Sequence, residues 1–156
     1  MIDFIKGEIA FKSPAYLIVE TSGGVGYRIN ISLNTYAKIE SLEKVKLLTY
    51  LQIREDAHVL FGFAEESERT LFTFLISVSG VGPSTAQVLL SGMSADEVRA
   101  AILSENEVAF SKVKGIGPKT AKRIILDLKD KIKKESPETL LNLDRKSTRL
   151  NSSHVD

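Results

Sequence analysis

Two glycine turns, 35 residues apart, constrain this chain more than any other feature. The first reads Val78-Ser79-Gly80-Val81-Gly82-Pro83-Ser84-Thr85-Ala86, and the second Val113-Lys114-Gly115-Ile116-Gly117-Pro118-Lys119-Thr120-Ala121. Both follow the pattern apolar-x-Gly-apolar-Gly-Pro-x-Thr-Ala. The glycines let the backbone turn tightly and approach a ligand with no Cβ in the way. The central Val81 or Ile116 can drop into a core between two helices. Proline sits well in the first turn of a helix, where its missing N–H does no harm. Each turn is therefore expected to join two helices, and the spacing makes this part of the chain an internal duplication.

A helix that opens on such a turn presents free N–H groups and the positive end of its dipole. That combination binds anions, most often phosphate. A Walker A loop needs Gly-x-x-x-x-Gly-Lys-Ser/Thr, but here Pro118 separates Gly117 from Lys119 and no second glycine stands at the required offset. A dinucleotide fingerprint needs a third glycine three residues after the second, where Thr85 and Thr120 stand. No nucleotide-binding loop is thus present. The candidate phosphate-binding residues are Gly80, Gly82 and Ser84 in the first copy, and Gly115, Gly117, Lys119, Thr120, Lys122 and Arg123 in the second. A plain connector between helices is the alternative reading.

Charge supports the second copy more than the first. The net charge of +1 conceals an asymmetry: residues 1–111 hold nine Lys/Arg against fourteen Asp/Glu, whereas residues 112–134 hold nine against two. A short basic block on a near-neutral chain suits a localised anionic partner, or else is a solvated lysine-rich helix face. Residues 80–92 carry no charged side chain, so the first turn must rely on backbone N–H groups with Ser84 or Thr85, or mainly pack.

The rest of the chain fixes the fold class. Tyr16–Glu20, Gly26–Ile31, Lys44–Ile53 and Ala57–Phe63 are β-rich, the last three alternating in polarity. In the third of these, Val45, Leu47, Leu51 and Ile53 are expected on one face. About five short strands with one small helix around Tyr36 and Ile39 suggest a compact barrel of the OB-fold kind. From Glu65 onward the period is helical. Ser94 with Glu97 forms a capping box, Ser104 with Glu107 repeats that spacing, and Ala121, Ile124, Ile125, Leu128 and Ile132 form one apolar stripe. The fold is therefore α+β with two domains, an OB-fold-like barrel over residues 1–63 and an all-α tandem helix-hairpin-helix unit over 64–134, each with an apolar core of its own. With no cysteine, disulfides and Cys-ligated metals are excluded, and His58 and His154 do not make a metal site. No apolar run approaches the roughly 18 residues of a membrane span, and the N-terminus is not a signal peptide. A cytoplasmic protein without cofactor or membrane partner is expected.

The paired turns resemble the helix-hairpin-helix motif of DNA-binding proteins that read backbone rather than bases. Along both halves, the strings GGVGY (Gly23 to Tyr27), REDA (Arg54 to Ala57), ERTLF (Glu68 to Phe72), GVGP, LLSGMS (Leu89 to Ser94) and KGIGPKTAKRI fall in the order of the RuvA family of Holliday-junction-binding subunits. The resemblance covers residues 1 to about 134. It implies a homotetramer that lays a four-way junction open, a non-catalytic role in recombination and repair, and partners of the RuvB ATPase and RuvC resolvase types. It also implies that Glu55 and Asp56 are an acidic turn near the strand crossover, where carboxylates repel phosphates that the basic rim attracts. Without the resemblance, Glu55-Asp56 reads as an ordinary polar turn.

Two departures from the family stand out. Ser84 occupies a position that is often basic in the family. Residues 135–156 are expected to be a disordered linker and foreign tail, with the string DRKSTRLNSSH (Asp144 to His154) in place of a third, motor-binding domain.

Two rival readings exist. A helix-hairpin-helix glycosylase would use carboxylates beyond the turn, with Asp127, Lys129 and Asp130 as candidates, but it needs a larger helical domain to hold a flipped base. A single-strand binder would stack bases on Phe4, Tyr16 and Tyr27.

Overall fold

The computed structural model of the chain describes residues 1–135. Of the expected linker and foreign tail, residues 135–156, all but Glu135 lie outside the described residues, His154 among them.

Five strands close into a barrel: β1 (Phe4–Lys12), β2 (Tyr16–Glu20), β3 (Gly26–Ile31), β4 (Lys44–Ile53) and β5 (His58–Phe63). They follow one another around it in the order β1-β2-β3-β5-β4. Only β3 and β5 run parallel, and β1 closes the barrel against β4. A short helix, α1 (Leu33–Ile39), bridges β3 and β4. The interior is filled by alternate side chains of these strands, among them Leu17, Val19, Ile29 and Leu47, all fully buried.

Ile53 departs from the period-two expectation. It is 67% exposed, because β4 continues to the last cross-strand pair before the hairpin turn, Ile53 with His58. Strand β5 is buried on both faces. Leu60 faces the barrel core, whereas Phe61 and Phe63 belong to the core of the helices.

The helices are α2 (Glu66–Ile76), α3 (Pro83–Gly92), α4 (Ala95–Leu103), α5 (Glu107–Ser111) and α6 (Pro118–Lys134). Ser94 caps α4 with the reciprocal Glu97 contact that the spacing predicts. The Ser104 cap does not form. Instead Asn106 caps α5, accepting from the Ala109 N–H, while the Ser104 hydroxyl donates back to the Ala100 carbonyl. Helix α4 runs as far as Leu103 and ends with Asn106 N–H donating to Ala101 O at 2.8 Å and Glu105 in the left-handed region at φ 54°. That reversal leaves the next capping position to Asn106. All five residues of the apolar stripe on α6 are buried.

The helical core is not self-contained. Phe72 of α2 packs against Tyr50, Phe61 and Phe63, with ring centroids 4.9–5.4 Å apart. This aromatic cluster, which reaches out from β4 and β5, joins the helices to the barrel.

Candidate nucleic-acid interface

The two glycine turns have the same geometry. Val81 N–H donates to Val78 O at 3.0 Å, and Ile116 N–H donates to Val113 O at 3.1 Å. The third residue of each four-residue turn is a glycine at positive φ, Gly80 at 89° and Gly115 at 91°. A type II turn requires a positive φ there, and glycine adopts it without steric cost. Val81 and Ile116 are buried in the helical core.

The second glycine of each pair differs. Gly82 and Gly117 are the N-caps of α3 and α6, with φ of −93° and −85° and extended ψ, a conformation open to any residue. A Cβ at either would meet nothing within 4 Å. Neither backbone conformation nor internal packing calls for glycine at 82 or 117.

Both helices also begin bare. Ser32, Ser94 and Asn106 cap α1, α4 and α5 through side-chain oxygens; α2, α3 and α6 have no side-chain cap, and of these three α3 and α6 follow a glycine turn. The first helical N–H groups with an acceptor are those of Ala86, to Gly82 O, and Ala121, to Gly117 O, each at 3.0 Å. The N–H groups of Ser84, Thr85, Lys119 and Thr120 take no acceptor among the described residues. Glycine is a serviceable N-cap but supplies no oxygen to these donors. An external anion can approach each turn closely and fill that role.

Around the second turn the cations gather. Lys112, Lys114, Lys119, Lys122 and Arg123 are all exposed, and none is ion-paired among the described residues. Lys119, Lys122 and Arg123 share one face of α6 by their spacing. Thr120 is half-buried.

Glu55 and Asp56 are exposed and occupy the tip of the β4–β5 hairpin, where Arg54 N–H donates to Ala57 O at 2.8 Å. A cleft of about 380 Å³ runs between the base of this hairpin and the first glycine turn, lined by Gln52 and Arg54 on one side and Gly82, Ser84 and Gln87 on the other.

Two family models match the chain, and they divide it as this geometry does. The RuvA N terminal domain matches residues 1–62, and a SAM-like helix-hairpin-helix tandem matches residues 72–130. A protein from Christiangramia forsetii is 53% identical over 86% of this chain and 69% of its own length. The chain belongs to the RuvA family. A Bacteroides fragilis relative is 54% identical over 85% of this chain and 66% of its own length, and one from Flavobacterium psychrophilum is 42% identical over 100% and 78%. Each of the three is named Holliday junction branch migration complex subunit RuvA.

Within the family frame, Arg54 is the residue that the sequence reading did not single out. It lies in REDA beside the acidic pair, and the fold sets it across the cleft from Ser84. A lone cation flanking two carboxylates was the available signal, but only the tertiary fold brings it to the first turn.

The residues of the rival readings do not converge. Asp127 and Asp130 are exposed on α6, and Lys129 pairs with Glu105 at 3.2 Å. Tyr27 packs against the barrel core, Tyr16 lies under Arg28 and against Phe11, and Phe4 lies under Lys46. Among the described residues no helix is long and apolar enough to cross a membrane, and no three His, Cys, Asp or Glu side chains gather as a metal site.

Proposed function

We propose that this chain is a structure-selective DNA-binding subunit that recognises four-way (Holliday) junctions through phosphate contacts. It holds them open, as a homotetramer in the cytoplasm, for ATP-driven branch migration by a RuvB-type motor during recombination and repair. The subunit is non-catalytic, and a RuvC-type resolvase acts on the same junction. Gly80, Gly82 and Ser84 form one phosphate grip. Gly115, Gly117, Lys119, Thr120, Lys122 and Arg123 form the other, and Glu55 and Asp56 stand at the crossover.

The observation that carries this reading is the pair of bare helix starts. At both, a glycine that the chain's own fold does not require leaves room for an external group, beside N–H donors that take no partner among the described residues. Contacts of this kind position a duplex without reading its sequence. The names of the relatives point to the junction as the form of DNA recognised.

A gel-shift competition between a four-way junction and a linear duplex of equal length, repeated across salt concentrations, tests it. The junction should win at every salt, and affinity should fall steeply with salt as counterions are released. Equal affinity for the two DNAs would overturn the proposal.

A further inference from the structure

Glu68 is 3% exposed, yet it belongs to neither glycine turn nor to the acidic hairpin. Its carboxylate accepts a hydrogen bond from Ser32 Oγ at 2.6 Å, and Thr35 Oγ1 lies 3.3 and 3.4 Å from its two oxygens. Ser32 and Thr35 are themselves buried. Thus a side chain of α2, the first helix after the barrel, is fastened to the cap of α1, the one helix inserted among the strands.

The same small helix holds α3. Asn34 Nδ2 donates to Met93 O at 3.0 Å and also to Leu90 O, and Leu33 N–H donates to Ser91 Oγ at 3.0 Å. Just before α1, the Ile31 carbonyl accepts from Gln87 Nε2. Helix α3 begins at the first glycine turn, so these bonds fix that turn relative to the barrel, and with it relative to the hairpin carrying Glu55 and Asp56.

Two kinds of contact join the barrel to the helices. The Phe72 cluster is apolar and tolerates sliding, whereas hydrogen bonds demand distance and direction. A buried carboxylate is a poor source of net stability, because desolvation opposes it. Its contribution is geometrical. We infer that Glu68 is a positioning residue for junction recognition: through Ser32 and Thr35 it sets the angle at which the first phosphate grip faces the acidic turn. This rests on the function proposed above. Selection of a four-way junction needs the grips and the crossover contact to act together, whereas binding to a duplex arm needs only the grips.

The test uses Glu68→Ala, Glu68→Leu and Glu68→Gln in the full chain. Leucine fills the space without offering an acceptor, and glutamine restores an acceptor for Ser32 Oγ. Glu68→Ala should lower the junction-to-duplex affinity ratio about five- to tenfold while duplex affinity stays within about twofold, and Glu68→Gln should restore the ratio. If Glu68→Ala cannot fold, Glu68→Leu is read in its place. A second readout needs no DNA. Because the chain lacks cysteine, a Ser22→Cys, Ser111→Cys pair takes spin labels at those two positions alone, one on the barrel and one on the helices. Their distance distribution should be narrow with Glu68 or glutamine present and shifted or broadened with alanine or leucine. An unchanged ratio and distribution in the folded acceptor-less variant would overturn the inference, as would equal loss of junction and duplex binding. If the unaltered chain shows no junction preference, the proposed function fails instead, and the distance measurement still decides the role of Glu68.

Discussion

At the scale of single residues, Glu68 is held in a state of opposed forces. Burial raises its pKa above the usual glutamate value, against the lowering effects of the Ser32 hydrogen bond, the Lys38 charge and the Thr35 hydroxyl, while Glu65 adds to the rise. Arg99 and Asp96 of α4 line the same pocket. A carboxyl group whose folded pKa is raised binds its proton more tightly in the folded state. Its ionisation therefore costs stability, fully above the raised value and not at all below the unfolded value. Glu68→Gln should raise the melting temperature at about pH 7, and that gain should vanish as pH falls to about 4. Thermal unfolding of both proteins across that range checks the sign. A gain that persists unchanged at low pH would mean that the charge of Glu68 is not what burial penalises.

At the scale of elements, the β4–β5 hairpin gives the clearest prediction. Its two tip carboxylates repel any phosphate brought close to them, and they are exposed, so salt screens them. Changing Glu55 and Asp56 together to glutamine and asparagine should tighten DNA binding by roughly three- to tenfold at low salt and reduce the preference for junctions. Affinity and preference both unchanged would make this a plain turn. The sequence disclosed the elements whose signals are local. The type II glycine turns, the Ser94 capping box and the α6 stripe rest on residues within about three helical turns of each other. It failed where distant structure decides. The cap of α5 depended on how far α4 ran before Glu105 reversed it. The exposure of Ile53 depended on its place at the end of β4, beside the turn. Neither Arg54 facing Ser84 nor Glu68 under Ser32 has a signature along the chain, because each pairing spans about thirty residues or more and arises only when barrel and helices dock.

At the scale of the whole molecule, a tandem of helix-hairpin-helix turns is fixed to a barrel through one aromatic cluster and two sets of polar contacts, those of α1 with α2 and α3 and those of Arg69 with Asp3 and Thr49, and the first glycine turn faces the base of the acidic hairpin across a cleft. The helix starts behind the two glycine turns are the proposed receivers of backbone phosphate. Valine at Gly115 would strain the backbone by about 1–3 kcal/mol, since that glycine lies at positive φ. Valine at Gly82 and Gly117 would not, because both are extended and face open space. The double variant Gly82→Val, Gly117→Val thus separates binding from folding. The decisive measurement is its affinity for a four-way junction beside the unaltered protein, with thermal unfolding as the control. The double variant should keep its melting temperature and bind at least about tenfold more weakly, the worth of one hydrogen bond to a charged group. A folded double variant that binds the junction as tightly as the unaltered chain would contradict phosphate binding at these helix starts.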